Sequence, residues 1–139
     1  MLINNYGMLK ELKILDKGPC TAMAWANVFD CNPLHAREYL YNFGYRRGRG
    51  GMTTSQVISA LKSVKKSTVV EGHYSRANSV SLKKFLEKHN KGRYYVLVRG
   101  HALAVVDGMI YDHKEGLQRR VIGAWRVYLN REGGYKPYE

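Results

Sequence analysis

The run Val105-Val106-Asp107-Gly108-Met109-Ile110 leaves this chain few choices. Asp-Gly between two apolar, β-branched runs predicts a β-hairpin closed by a two-residue type I′ turn, which needs positive φ at both central positions. With Asp107-Gly108 as the turn, Val106 faces Met109, Val105 faces Ile110, Ala104 faces Tyr111 and Leu103 faces Asp112. Side chains alternate between faces along a strand, so His101, Leu103, Val105, Ile110 and Asp112 fall on one face. His101 and Asp112 are then diagonal neighbours across the two strands. Asp107 is closer in sequence but lies roughly 20 Å away at ~3.3 Å per residue, and the turn already accounts for it. A carboxylate beside an imidazole fixes the ring's tautomer and leaves the other nitrogen to act as a base.

A base of this kind needs a nucleophile, and Cys20 is the candidate. Gly18-Pro19 interrupts the chain just before residues 20–29, which are Ala-rich, aromatic and apolar nearly all round. Such a segment predicts a helix buried in the centre of the domain. Cys20 stands at its first turn, where unpaired backbone N–H groups and the positive end of the helix dipole both favour a thiolate. The same N–H groups can hold a developing oxyanion. The ordinary fate of a free cysteine is burial as a small hydrophobe, and that is the reading for Cys31, at a helix–helix junction. For Cys20 the pairing with His101 favours chemistry, because cysteine catalysis draws its histidine from a distant part of the chain. The expected catalytic set is Cys20 as nucleophile, His101 as base and Asp112 as orienting carboxylate. His35, His73 and His89 are assigned to helix surfaces or loops. His113 points away from Asp112 on the same strand, a poor geometry for a metal, and no cofactor is expected.

The remaining elements follow from local signals. Residues 1–17 form a lead, a single helical turn or an extended arm. Asn32 caps a second helix with Pro33 at its first position, ending near Gly44, with Leu34, Tyr39, Leu40 and Phe43 on its apolar side. Thr53-Thr54-Ser55-Gln56 fits a capping box that opens a third helix with Val57, Ile58, Leu61 and Val64 inward. Residues 67–71 predict a short strand. Ser79 or Ser81 caps a fourth helix carrying Leu82, Phe85 and Leu86. Strands at 93–99, 101–106, 109–113 and 121–129 complete the chain before a Gly- and Pro-containing tail at 133–137. Helices first and antiparallel strands last define an α+β class, a single domain over residues 1–139.

Two cysteines in 139 residues are too few for a disulfide framework or a zinc site. No apolar run is long enough to span a membrane and the N-terminus lacks a signal-peptide pattern, so the expected setting is cytoplasmic. The net charge of +12 is high for this length. It reads as a solvated surface, or as an anionic partner contacted through Arg46, Arg47 and Arg49 in the Gly/Arg loop 44–51, with Arg119-Arg120 a second concentration. No nucleic-acid motif accompanies the charge.

The order of these features resembles the papain-like cysteine peptidase fold: a Cys at a helix start, further helices, a His on one strand and an Asp on the next. The resemblance is closest to small phage- and prophage-encoded members with a Gly-Asp-Cys-x-x-x-Ala-x-Ala segment, a Gly/Arg loop, a His-x-x-Ala-Val-Val-Asp-Gly-x-Ile-x-Asp run and a Gly-x-Trp-x-Val strand. The counterparts here are Gly18-Pro19-Cys20 with Ala24 and Ala26, residues 44–51, residues 101–112, and Gly123-Ala124-Trp125-Arg126-Val127. It covers roughly residues 16–129 and implies Cys20, His101 and Asp112 in the roles above, a protein or peptide substrate, and a host cytoplasm. Pro19 stands where that pattern has Asp, and no upstream Gln is present as a side-chain oxyanion donor; Asp16 and Lys17 occupy that region. The competing class is a papain-like scaffold with an idle thiol that binds a host protein or an anionic partner such as nucleic acid.

Overall fold

The computed structural model describes residues 2–3, 20–46, 52–64, 70–72, 79–112 and 116–129. Within them the chain is α+β. Helices α1 (Cys20–Phe29), α2 (Pro33–Leu40), α3 (Thr54–Ser63) and α4 (Leu82–Lys88) accompany strands β1 (Leu2–Ile3), β2 (Val70–Gly72), β3 (Val80–Ser81), β4 (Arg93–Val98), β5 (His101–Val106), β6 (Met109–Tyr111) and β7 (Arg120–Val127). The strands form one sheet in the order β1-β6-β5-β4-β7-β2, with β3 also paired to β7. All pairings are antiparallel except β1 with β6. Leu2–Ile3 is thus an extended arm; the rest of the lead, residues 67–69, His73, His113 and the tail lie outside the described residues.

The hairpin has the predicted register: Val106 faces Met109, Val105 faces Ile110 and Ala104 faces Tyr111. Asp107 and Gly108 have φ of 50° and 79°, as a type I′ turn requires. Asp107 does more than turn the chain, because its Oδ1 accepts from Gly92 N–H at 2.9 Å while its own N–H donates to the Gly92 carbonyl at 2.8 Å.

The two faces of the sheet carry different loads. On one, Tyr95, Ala102, Ala104 and Val127 meet α1, α2 and α3; on the other, Val96, Leu103, Val105 and Ile110 pack with Leu82 and Phe85 of α4. Helix α1 is buried nearly all round, and Trp25, Val28 and Phe29 are wholly inaccessible. Ala22 and Ala26, one turn apart on a single helix face, and Ala102 and Ala104 on β5 belong to the same buried cluster, where their small side chains limit the bulk between helix and strand. At the far end of α1, Arg93 donates from Nε to the Val28 carbonyl at 2.7 Å and from Nη2 to the Asn27 carbonyl at 2.9 Å. Those are orphan carbonyls of the last turn, and the cation also suits the negative end of the dipole.

The caps match their signals. Asn32 Oδ1 accepts from Leu34 N–H at 2.8 Å, with Pro33 opening α2. Thr53 and Gln56 form both halves of the capping box, and Ser81 rather than Ser79 caps α4. A 3₁₀ turn at Tyr41–Phe43 extends α2 and ends at Gly44, whose φ is 109°. Gly44 is also spatially required, because a Cβ there would run into the Gln56 side chain. The end of the second helical segment is thereby held against the start of α3.

Candidate active site

The seating of α1 on β5 brings the helix start to the His101 end of the strand. The chain leaves β6 after Tyr111, and Asp112 turns inward to become wholly buried. His101 donates from Nε2 to Asp112 Oδ1 at 2.8 Å. The other ring nitrogen, Nδ1, is left for Cys20, which is hydrogen-bonded to the imidazole. The three residues singled out from sequence therefore form one connected chain of contacts. The imidazole lies between thiol and carboxylate.

The electrostatics follow from these neighbours. Burial alone would push the Cys20 thiol up. The His101 hydrogen bond and charge, the Ala102 backbone N–H and the Thr21 hydroxyl outweigh it, so Cys20 titrates below the usual thiol range. Burial alone would pull His101 down, but the hydrogen bonds and charges of Asp112 and Cys20 raise the ring to about 9. Both shifts favour the thiolate and the imidazolium over the neutral pair. Cys31 shows the opposite balance: burial, and then the Asp30 carboxylate, push its thiol up to about 12.

Asp112 also has a partner that sequence reasoning missed. Its second oxygen, Oδ2, accepts from Arg119 Nη1 at 3.0 Å. A carboxylate with no exposed surface needs such compensation, since the desolvation of an unpaired charge costs several kcal/mol. Arg119 was legible only as half of a basic dipeptide. Neither arginine of that dipeptide is idle: Arg120 donates from Nη2 to the Ser79 carbonyl at 2.6 Å. Arg46 of the Gly/Arg loop donates from Nη1 to the carbonyls of Tyr41 at 3.0 Å and Tyr45 at 2.8 Å, while Arg47 and Arg49 lie outside the described residues.

Cys20 and His101 open onto a cleft of about 560 Å³. Leu97 and Ile122 of the sheet and Met52 give it apolar walls, and Gln56 stands at the start of α3 on its rim. Gln56 Oε1 accepts from Thr53 N–H at 2.9 Å. Asp16 and Lys17 lie outside the described residues. Among the described residues no cluster of His, Cys, Asp and Glu has the makings of a metal site, and no helix is long and apolar enough to cross a membrane. Comparison with protein-family models, with curated proteins and with solved structures gave no match to this chain.

Proposed function

We propose that the protein is a cysteine-dependent acyl hydrolase on a papain-like plan, acting on an amide, isopeptide or thioester bond of a protein or peptide. The observation that carries this reading is the contact chain Cys20–His101–Asp112 at the mouth of a cleft. In the reaction, the Cys20 proton resides on His101 and the thiolate attacks the substrate carbonyl carbon. The carbonyl oxygen takes the negative charge and is held by the free N–H groups of the first turn of α1. The imidazolium returns its proton to the leaving nitrogen or sulfur as the acyl bond to it breaks, leaving an acyl-thioester on Cys20. Water, deprotonated by His101, then releases the acid and restores the thiol. Asp112 keeps the ring oriented and stabilises its charged form without itself taking the proton. Leu97, Ile122 and Met52 offer apolar contact to an acyl group, while Thr21, Thr53, Thr54 and Gln56 offer polar contacts in the same cleft.

Acetyl transfer from p-nitrophenyl acetate tests this without knowledge of the natural substrate. A burst of nitrophenolate with one acetyl group gained on Cys20, lost in Cys20→Ser and in His101→Ala, is the expected result. Hydrolysis that is unchanged in both variants would reject it. The net charge of +12 favours a second reading, a binding module for an anionic partner with an idle thiol. That reading expects no acyl-enzyme and a salt-dependent association that survives Cys20→Ser.

A further inference from the structure

Each oxygen of the buried Asp112 carboxylate has its own partner, on opposite sides: His101 from the start of β5 and Arg119 from the residue preceding β7. Arg119 is itself held at several points. Its backbone carbonyl accepts from Leu82 N–H of α4 at 2.7 Å, and its backbone N–H donates to the Gly116 carbonyl at 3.0 Å. The side chain returns to the same carbonyl, Nε donating to Gly116 O at 3.1 Å while Nη1 reaches Asp112. The guanidinium fork thus spans a backbone acceptor and a carboxylate at once, which a lysine ammonium on a flexible stem reproduces poorly. Gly116 makes room for this, because a Cβ at that position would fall on Arg119 Nε and Cδ. Among the described residues, the titratable side chains hydrogen-bonded to this carboxylate include His101 and Arg119, with Cys20 of α1 on the far side of the ring.

We propose that Arg119 is a positioning residue of this site: set in place through Gly116, its guanidinium clamps Oδ2 of Asp112 and balances the buried charge, so that Oδ1 stays on His101 as a carboxylate. The inference rests on the acyl-transfer reading above and assigns the site a fourth member, one that touches neither substrate nor thiol. A buried carboxylate stripped of its cation takes up a proton more readily, and a neutral Asp112 no longer holds His101 as the imidazolium that stabilises the Cys20 thiolate.

The test is the pH dependence of Cys20 alkylation by iodoacetamide between pH 4 and 9. In Arg119→Gln the acid limb should move up, by less than the roughly 1–3 units an adjacent cation exerts on the carboxylate it touches, because the effect reaches Cys20 only through Asp112 and His101. Arg119→Lys should shift it less, because the charge is kept and only the fork is lost. In an Asp112→Asn background, Arg119→Gln should add no further shift, since no carboxylate remains to balance. That double variant also removes the buried charge that makes the single one hard to fold. If Arg119→Gln fails to fold, Gly116→Ala carries the same expectation of an upward shift. An acid limb that coincides with wild type in Arg119→Gln or its Gly116→Ala substitute overturns the inference, as does an equal shift with and without Asp112. If wild-type Cys20 itself titrates as an ordinary thiol, the acyl-transfer reading falls, and this inference with it. A wild-type Cys20 that titrates below the ordinary thiol range, with unshifted variants, overturns only the role of Arg119.

Discussion

At the scale of single residues, the two aspartates of the hairpin separate position from sequence proximity. Asp112 meets His101 at 2.8 Å although it lies eleven positions away. Asp107 lies nearer in the chain but is committed to the turn and to Gly92. Asp112→Asn should therefore raise the Cys20 titration toward that of an ordinary thiol. Each unit by which the thiol pKa rises beyond the assay pH lowers the thiolate fraction about tenfold, and the alkylation rate follows it. Asp107→Asn should leave the rate nearly unchanged, because Asn tolerates positive φ and its Oδ1 can still accept from Gly92. Equal losses in the two variants, measured by single-time-point alkylation at pH 7, would contradict this assignment. The pairing was legible because a two-residue Asp-Gly turn and strict alternation determine register locally. Arg119 was not legible: its contact to Asp112 depends on how the chain returns from β6 to β7, a segment with no periodic signal.

At the scale of elements, the site depends on how closely α1 lies on β5. Ala102 and Ala104 are buried in the same cluster as Ala22 and Ala26, which lie one helical turn apart on one face of α1. Ala104→Leu inserts bulk into this seam and should cost roughly 1–3 kcal/mol of stability, as overpacking a dense core does. Helix α1 should then lift from the strand, so the melting temperature and Cys20 alkylation should fall together. A lower melting temperature with full reactivity would show that α1 is held in place from elsewhere. The helices themselves could be read from caps and breakers: Asn32-Pro33, the Thr53–Gln56 box and Ser81 all lie within one turn of what they cap. The order of the strands could not. β7 inserts beside β4 and receives β2 and β3 on its other side, and such non-local pairings leave no mark in any short window of sequence.

At the scale of the whole molecule, the poised pair ties folding stability to pH with a definite sign. His101 is raised from 6.5 to about 9, so its contribution is fully present below pH 6.5 and is lost as pH rises through 9. Cys20 is lowered from 9.0, so its contribution is present above pH 9 and is lost as pH falls through its folded-state value. Below pH 9, where both groups titrate, the two slopes oppose each other. Removing the thiol by Cys20→Ala deletes the second contribution together with the share of the His101 rise that Cys20 supplies, and leaves the share that Asp112 supplies. The wild type should therefore gain stability relative to Cys20→Ala as pH rises from acid towards 9, and melting temperatures of both proteins at matched pH values check it; parallel curves would speak against the ion pair. The central claim is that the neighbours of Cys20 outweigh its burial and favour its thiolate, whereas burial and Asp30 hold Cys31 as an unreactive thiol. Competitive alkylation of the folded protein by iodoacetamide, with Cys20 and Cys31 quantified separately by mass spectrometry from pH 5 to 9, tests it most directly. The account predicts that Cys20 reaches its plateau below the ordinary thiol range while Cys31, pushed up to about 12, stays almost unlabelled throughout. Superimposable labelling curves for the two cysteines would contradict it.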